Sequence, residues 1–406
     1  MKVVQINAIY GRKSTGTIVR EIQSCCETHG IEGYVAYSIA DRPGNEVPRG
    51  YRIGNKLTAK WHALMSRIFG KQAYFNRFST WLFLRWLGKI QPDVVHLHNL
   101  HNDYIHLNML LRYLAKHDIA TVITMHDCWY YTGGCTHYTS VGCDRWKLGC
   151  GNCPKWRNIP SYFIDATKSV LYDRIKYLNA VPRLKMVGAS EWIANEMRNS
   201  LLKNLDITFI HNGFDLSIFK PSPSEKRTEL RLEGKFVILG PASKWLQVIN
   251  RSTLDYFLSQ MDNDSVLLLF GCATLNTSLP NNVIQIGYTK NRKELAELYS
   301  LADVMVNCSR EDTLSSLNLE CQACGTPVMT YDATGSKETV DGRCGFAVPT
   351  GNMQVLWKRV DEVRQVGKEA LSNQCREWVT SHFEKRDNYS KYIKLYHNMI
   401  NNEKKE

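Results

Sequence analysis

The stretch richest in reactive side chains runs from Ala302 to Gly345, ADVMVNCSREDTLSSLNLECQACGTPVMTYDATGSKETVDGRCG. Adjacent acids, Glu311 and Asp312, follow a short apolar run; Ser315 and Ser316 come next, and Glu320 stands further along the same segment. Carboxylates accept hydrogen bonds from sugar hydroxyls, while free N–H groups at a helix start, helped by its dipole, hold a phosphate. Together these groups suit a sugar joined to a diphosphate. An ordinary buried strand–helix–strand unit with a solvated acidic loop is the plain alternative.

Other candidates lie earlier in the chain. His126-Asp127 ends the apolar run TVITM, where open parallel sheets carry functional side chains, although a lone histidine is more often structural. Gly16, after the run VVQINA, belongs to a strand–glycine turn–helix pattern that either holds a phosphate or lets helix and sheet pack closely. Cys135, Cys143, Cys150 and Cys153 share one glycine-rich loop, TGGCTHYTSVGCDRWKLGCGNC, and four thiolates there would hold a structural zinc ion. Small buried thiols are the competing reading. Lys244 and Arg251 are the cations next to the run that ends at Gly240.

The elements that must position these residues alternate regularly. Strands are predicted at 3–8, 34–37, 93–98, 121–125, 184–188 and 207–210, with helices between them. A second series follows, with strands at 235–239, 266–270, 283–286, 303–307 and 328–331 and a helix at 314–324 ended by Gly325-Thr326-Pro327. The linker-like FKPSPS separates the two series. The expected architecture is α/β: two doubly wound domains facing each other across a cleft, 1–218 and 225–383, followed by a C-terminal helix within 384–406.

Lys56, Lys60, Arg67, Lys71, Arg77, Arg85 and Lys89 alternate with Trp61, Phe69, Tyr74, Phe75, Phe78, Trp81, Phe83 and Trp86, with no acid between them. Such a helical stretch (56–91) either meets an anionic membrane surface or lends its aromatics to the core. The whole chain carries +12, which favours anionic partners. No apolar run is long enough to span a bilayer, and MKVVQINAIYG enters a strand directly, so a cytoplasmic protein, peripheral at the inner membrane face, is expected. Thirteen cysteines then imply reduced thiols or metal, not disulfides.

The motifs QINAIYGRKSTGTIVREI, DVVHLHNLHNDY, HDCWYYTGGC, GCDRWKLGCGNCP, HNGFDLSIF and CGTPV, in this order, resemble the capsule and exopolysaccharide (colanic-acid type) branch of glycosyltransferase family 4. The resemblance spans nearly the full chain and implies a retaining GT-B enzyme. A sugar would pass from a nucleotide-diphosphate donor to a lipid-linked (polyprenyl-diphosphate) or oligosaccharide acceptor, with no catalytic cofactor and no nucleic-acid partner. The first domain would bind the acceptor and the second the nucleotide-sugar, and the C-terminal helix would cross back to the first domain. His126 matches the family histidine that reaches the transferred sugar, and Glu320 matches the ribose-binding carboxylate. The family's other acid stands eight positions earlier, which is Asp312 here, with Glu311 beside it. The family's Arg and Lys-Gly after the first strand of the second domain are replaced by ASKWLQVINRSTLDYF. That leaves Lys244 or Arg251, with Ser315 and Ser316, to face the diphosphate. A nucleotide-sugar epimerase of the same shape, or a donor-binding pseudoenzyme acting as a scaffold, are the alternatives.

Overall fold

A computed structural model describes residues 1–40, 47–158, 161–223, 225–274 and 278–401. Ser224 of the predicted linker and the last five positions of the C-terminal segment, 402–406, lie outside the described residues. The chain divides into two compact units: Met1–Asn212 with Arg386–Glu406, and Gly213–Lys385. The division thus falls earlier than the FKPSPS stretch. That stretch is tied into the second unit, where the Ser222 N–H donates to Ser300 Oγ at 3.0 Å.

The first unit holds seven strands: β1 (Lys2–Tyr10), β2 (Glu32–Ala40), β3 (Gly50–Arg52), β4 (Val94–Leu97), β5 (Ala120–Met125), β6 (Leu184–Gly188) and β7 (Asp206–Phe209). They form one parallel sheet in the order β3-β2-β1-β4-β5-β6-β7. Strands buried on both faces read as continuous apolar runs, and β5 is buried at every position. Helices α1 (Lys13–Thr28), α2 (Lys56–Phe69), α3 (Arg77–Ile90), α4 (Leu107–Lys116), α5 (Thr167–Asn179) and α6 (Glu191–Arg198) cover it.

The second unit repeats the plan with β8 (Phe236–Pro241), β9 (Ser265–Phe270), β10 (Val283–Gln285), β11 (Val304–Asn307), β12 (Val328–Tyr331) and β13 (Phe346–Val348). These strands are parallel, in the order β10-β9-β8-β11-β12-β13. Its helices are α7 (Lys226–Glu229), α8 (Ala242–Trp245), α9 (Arg251–Gln260), α10 (Arg292–Leu301), α11 (Ser316–Ala323), α12 (Met353–Val366) and α13 (Lys368–Phe383).

The last helix, α14 (Lys385–Asn401), belongs to the first unit from Arg386 onward. Tyr389, Tyr392, Ile393 and Tyr396, at helical spacing, join Ile18, Ile22 and Cys26 of α1 over the sheet residues Val3, Val94 and Val122.

The basic and aromatic stretch 56–91 is two helices. Gly70 ends α2 in the left-handed conformation (φ 66°), which glycine adopts without strain. Its aromatics divide between the two expected fates. Phe83 and Leu87 are in the core, whereas Leu57, Trp61, Phe78 and Trp81 are exposed.

Candidate active site

In the second unit, β8 is flanked by β9 and β11, so the sheet reverses its winding there. Ligands of open α/β sheets bind beyond the carboxyl ends of strands at such a reversal. The predicted acidic loop lies there, between β11 and α11. Asn307, the last residue of β11, organises it: its Nδ2 donates to Ser315 Oγ at 3.0 Å and Asn318 Oδ1 at 2.8 Å. Asn318 in turn donates to Thr339 Oγ1 at 2.9 Å. The Asp312 N–H donates to Thr334 Oγ1 at 2.8 Å, and the Gly335 N–H donates to the Asp312 carbonyl at 3.0 Å. The loop carrying Glu311 and Asp312 is therefore laced to the loop after β12. Ser315 is buried inside this network, and Ser316 is the half-buried first residue of α11. Among the described residues, the buried hydroxyls of Thr313 and Ser336 find no hydrogen-bond partner.

Glu320 lies on α11, where the fully buried Tyr299 of α10 donates its hydroxyl to Oε2 at 3.2 Å. Burial pushes its carboxyl up to about 7, against the pull of Arg292 and the Tyr299 hydrogen bond. The Thr326 hydroxyl donates to the Tyr299 carbonyl at 2.7 Å, which locks the Gly325-Thr326-Pro327 turn to α10.

Two residues not singled out in the sequence, Asn250 and Arg310, pack around the segment that departs from the family pattern. Asn250, fully buried, donates to the carbonyls of Lys244 (3.0 Å) and Cys308 (2.9 Å). Its Oδ1 accepts from Arg310 Nε at 2.9 Å. Lys244 and Arg310 are both electrostatic neighbours of Cys308, at the end of β11. Arg251 instead pairs with Asp255 one turn along α9, with both side chains well exposed. Lys244 and Arg310 thus lie beside Cys308, just after β11. The only hint of Arg310 in the sequence was its place directly before Glu311. Trp245 anchors the segment through an Nε1–H bond to the Val306 carbonyl at 3.0 Å.

In the first unit, His126 follows β5 directly and is half-buried. Burial lowers it to about 4, so the ring is neutral near pH 7, despite the opposing charge of Asp127. Its Nε2 lies 3.0 Å from His98 Nδ1. His101 Nε2 pairs with Asp127 Oδ2 at 2.9 Å and is raised by that partner despite burial. The two histidines beside Asp127 are thus shifted in opposite directions, His101 up and His126 down. Gly16 lies in the first turn of α1, not in a loop before it. A Cβ there would stand 3.0 Å from the Ile9 carbonyl oxygen, so the residue serves close packing of α1 on β1.

The cysteine loop brings Cys135, Cys143, Cys150 and Cys153 around one cavity of about 20 Å³. The Gly133 N–H donates to Cys150 Sγ at 3.2 Å. Among the described residues, no three His, Cys, Asp or Glu side chains are arranged to hold a metal ion. Cys128 is fully buried in the main core.

Two doubly wound parallel-sheet units, with the last helix returned to the first, define the GT-B class. The family assignment follows from sequence. Residues 33–218 match the model "Glycosyltransferase Family 4" and residues 258–395 match "Glycosyl transferases group 1". The chain belongs to these glycosyltransferases. It is 23% identical to the "Putative colanic acid biosynthesis glycosyl transferase WcaC" of Escherichia coli (strain K12), with 94% of each chain covered. Among solved structures it is similar to sucrose-phosphate synthase from Thermosynechococcus elongatus (TM-score 0.69, 15% identity, 98% and 99% covered). It is also similar to Anabaena Alr3699/HepE in complex with UDP-glucose (TM-score 0.62, 14% identity, 98% and 100% covered).

Proposed function

We propose that this glycosyltransferase moves a sugar from a nucleotide-diphosphate donor to a lipid-linked or glycan acceptor in cell-surface polysaccharide synthesis, with retention at the anomeric carbon. The observation that carries the donor assignment is the cluster at the carboxyl ends of β8 and β11. There Asn307 holds the start of α11, Asn250 holds the Lys244 carbonyl and the Arg310 guanidinium, and Glu320 on α11 accepts from Tyr299. Glu320 is suited to the ribose diol, Glu311 or Asp312 to the sugar hydroxyls, and His126 to the transferred sugar. Cations and helix N–H groups stabilise charge on a departing diphosphate without a divalent ion. WcaC, by its name a colanic acid enzyme, and HepE, solved with UDP-glucose, support the polysaccharide and nucleotide-sugar parts of this reading.

A thermal-shift screen over UDP-, GDP-, ADP- and dTDP-sugars tests it, followed by NMR of the product's anomeric centre with an acceptor extract. One nucleotide class should stabilise the protein and yield a retained linkage. Binding without turnover would instead mark a scaffold, and conversion of donor alone would mark an epimerase.

Two accessory features belong to the same proposal. The exposed Leu57, Trp61, Phe78 and Trp81, set among basic residues, suit an anionic bilayer surface; Arg85 lies over the Trp81 ring at 5.1 Å. No helix among the described residues is long and apolar enough to cross a membrane. Co-sedimentation with phosphatidylglycerol vesicles but not phosphatidylcholine vesicles is expected, and equal behaviour with both would end the idea. The four thiols around one cavity are the residues that would hold a structural zinc ion, which they could do only by moving inward from their present positions. One zinc per chain by elemental analysis is expected, and its absence from protein purified without chelator would remove the ion.

A further inference from the structure

A directed run of hydrogen bonds ends at His126. Gln5 Nε2 donates to the Val19 carbonyl at 3.2 Å and to Gln23 Oε1 at 3.2 Å. A carbonyl only accepts, so the Gln5 amide has one orientation, with Oε1 facing His98 Nε2 at 3.2 Å. That nitrogen must therefore carry a proton. Burial holds His98 well below the ordinary histidine range, so the ring is neutral and its Nδ1 keeps a lone pair. The lone pair meets His126 Nε2 at 3.0 Å. His126 must donate there, and being neutral as well, it keeps Nδ1 as an acceptor.

We propose that Gln5 and His98 are positioning residues that fix His126 in the Nε2-protonated tautomer, so that its Nδ1 accepts a hydrogen bond from a hydroxyl of the sugar being transferred. What meets Nδ1 rests on the sugar-transfer reading; the tautomer itself does not. Gln5 is on β1, while His98 and His126 follow β4 and β5, and these three strands are neighbours in the sheet. The rings of His98 and His126 stack with centroids 5.3 Å apart and planes 15° from parallel. Behind them His96 lies 4.0 Å from the His98 ring and is pinned by Thr124 Oγ1 and the Tyr396 hydroxyl, each at 2.7 Å. Mutual satisfaction of buried polar groups would be enough for stability. The polarity of the chain, aimed at a half-buried ring, is what selects the tautomer.

The tautomer can be read directly by long-range ¹H–¹⁵N NMR on protein labelled at the histidine rings, with His126→Asn to assign the signal. The Nε2–H form is expected in the wild type, and an Nδ1–H form overturns the proposal whether or not the protein transfers sugar. Gln5→Met removes the acceptor at nearly constant length. This variant should populate both tautomers and lose about tenfold in transfer rate, while affinity for the nucleotide that stabilises the protein in the thermal-shift screen stays unchanged. Mixed tautomers with undiminished transfer would overturn the positioning role. If Gln5→Met does not fold, the wild-type spectrum still decides. A wild type that shows the expected tautomer but never transfers sugar would strike the functional reading alone.

Discussion

The Tyr299 hydroxyl donates to Glu320 Oε2 at 3.2 Å, yet burial outweighs this bond and leaves the carboxyl near 7. One oxygen is thereby held by the protein; on the proposed reading the other accepts from the ribose diol, which would couple its ionisation to donor binding.

Donor affinity should fall as pH drops below about 7, by up to tenfold per unit, because a protonated carboxyl is a poorer acceptor. Calorimetric titration with nucleotide at pH 6, 7 and 8 checks this. Glu320→Gln should bind more weakly at pH 8 and show a flatter profile. Unchanged affinity in that variant would remove Glu320 from the ribose.

Stability gives the opposite signature in the two units. Glu320 is raised in the folded state, so its contribution weakens as pH rises from the unfolded value towards 7; Glu320→Gln should gain about 2 kcal/mol at pH 8. His96, His98 and His126 are lowered in the folded state, so the unfolded chain takes up protons first and stability is lost as pH falls below about 6.5. Urea unfolding of the Glu320→Gln variant should therefore show a steeper fall between pH 7 and 5.5 than the wild type.

Among the arginines near the diphosphate candidates, Arg310 is expected to matter and Arg251 not. Arg310 is bonded to the buried Asn250, whereas Arg251 pairs with Asp255 on an exposed surface. Arg310→Ala should lower kcat/KM by about a hundredfold, the worth of one charge-stabilising group. Arg251→Ala should cost less than about threefold. Comparable losses in the two variants would reject the assignment.

Gly240 at the end of β8 leaves room for an indole. A Cβ there would stand 2.0 Å from Trp245 Nε1, the atom that donates to the Val306 carbonyl. Gly240→Ala should therefore displace Trp245 and destabilise the second unit by about 2–4 kcal/mol, measurable by calorimetric melting. Trp245→Phe should cost less, since it removes the bond but not the space.

Several features were legible in the chain because local chemistry writes them in order. Apolar runs such as TVITM and SVLLLF mark strands buried on both faces, and Gly325-Thr326-Pro327 marks the end of a helix. The acids at 311 and 312 and the histidine after β5 were visible from their place after strands, and Glu320 from its eight-residue spacing to Asp312. The short strands β3 and β13 were not predicted. Nor could spacing decide between Arg251 and Arg310, because only the fold brings Asn250 to Arg310 and turns Arg251 to its own helix. The buried bond between His96 and Tyr396 spans 300 positions, and the Gln5–His98–His126 chain draws on three strands. The sequence determined which side chains were available and which elements would carry them. The tertiary structure decided which of them meet and which ring nitrogen holds a proton, because those depend on neighbours that parallel-sheet topology supplies from far along the chain.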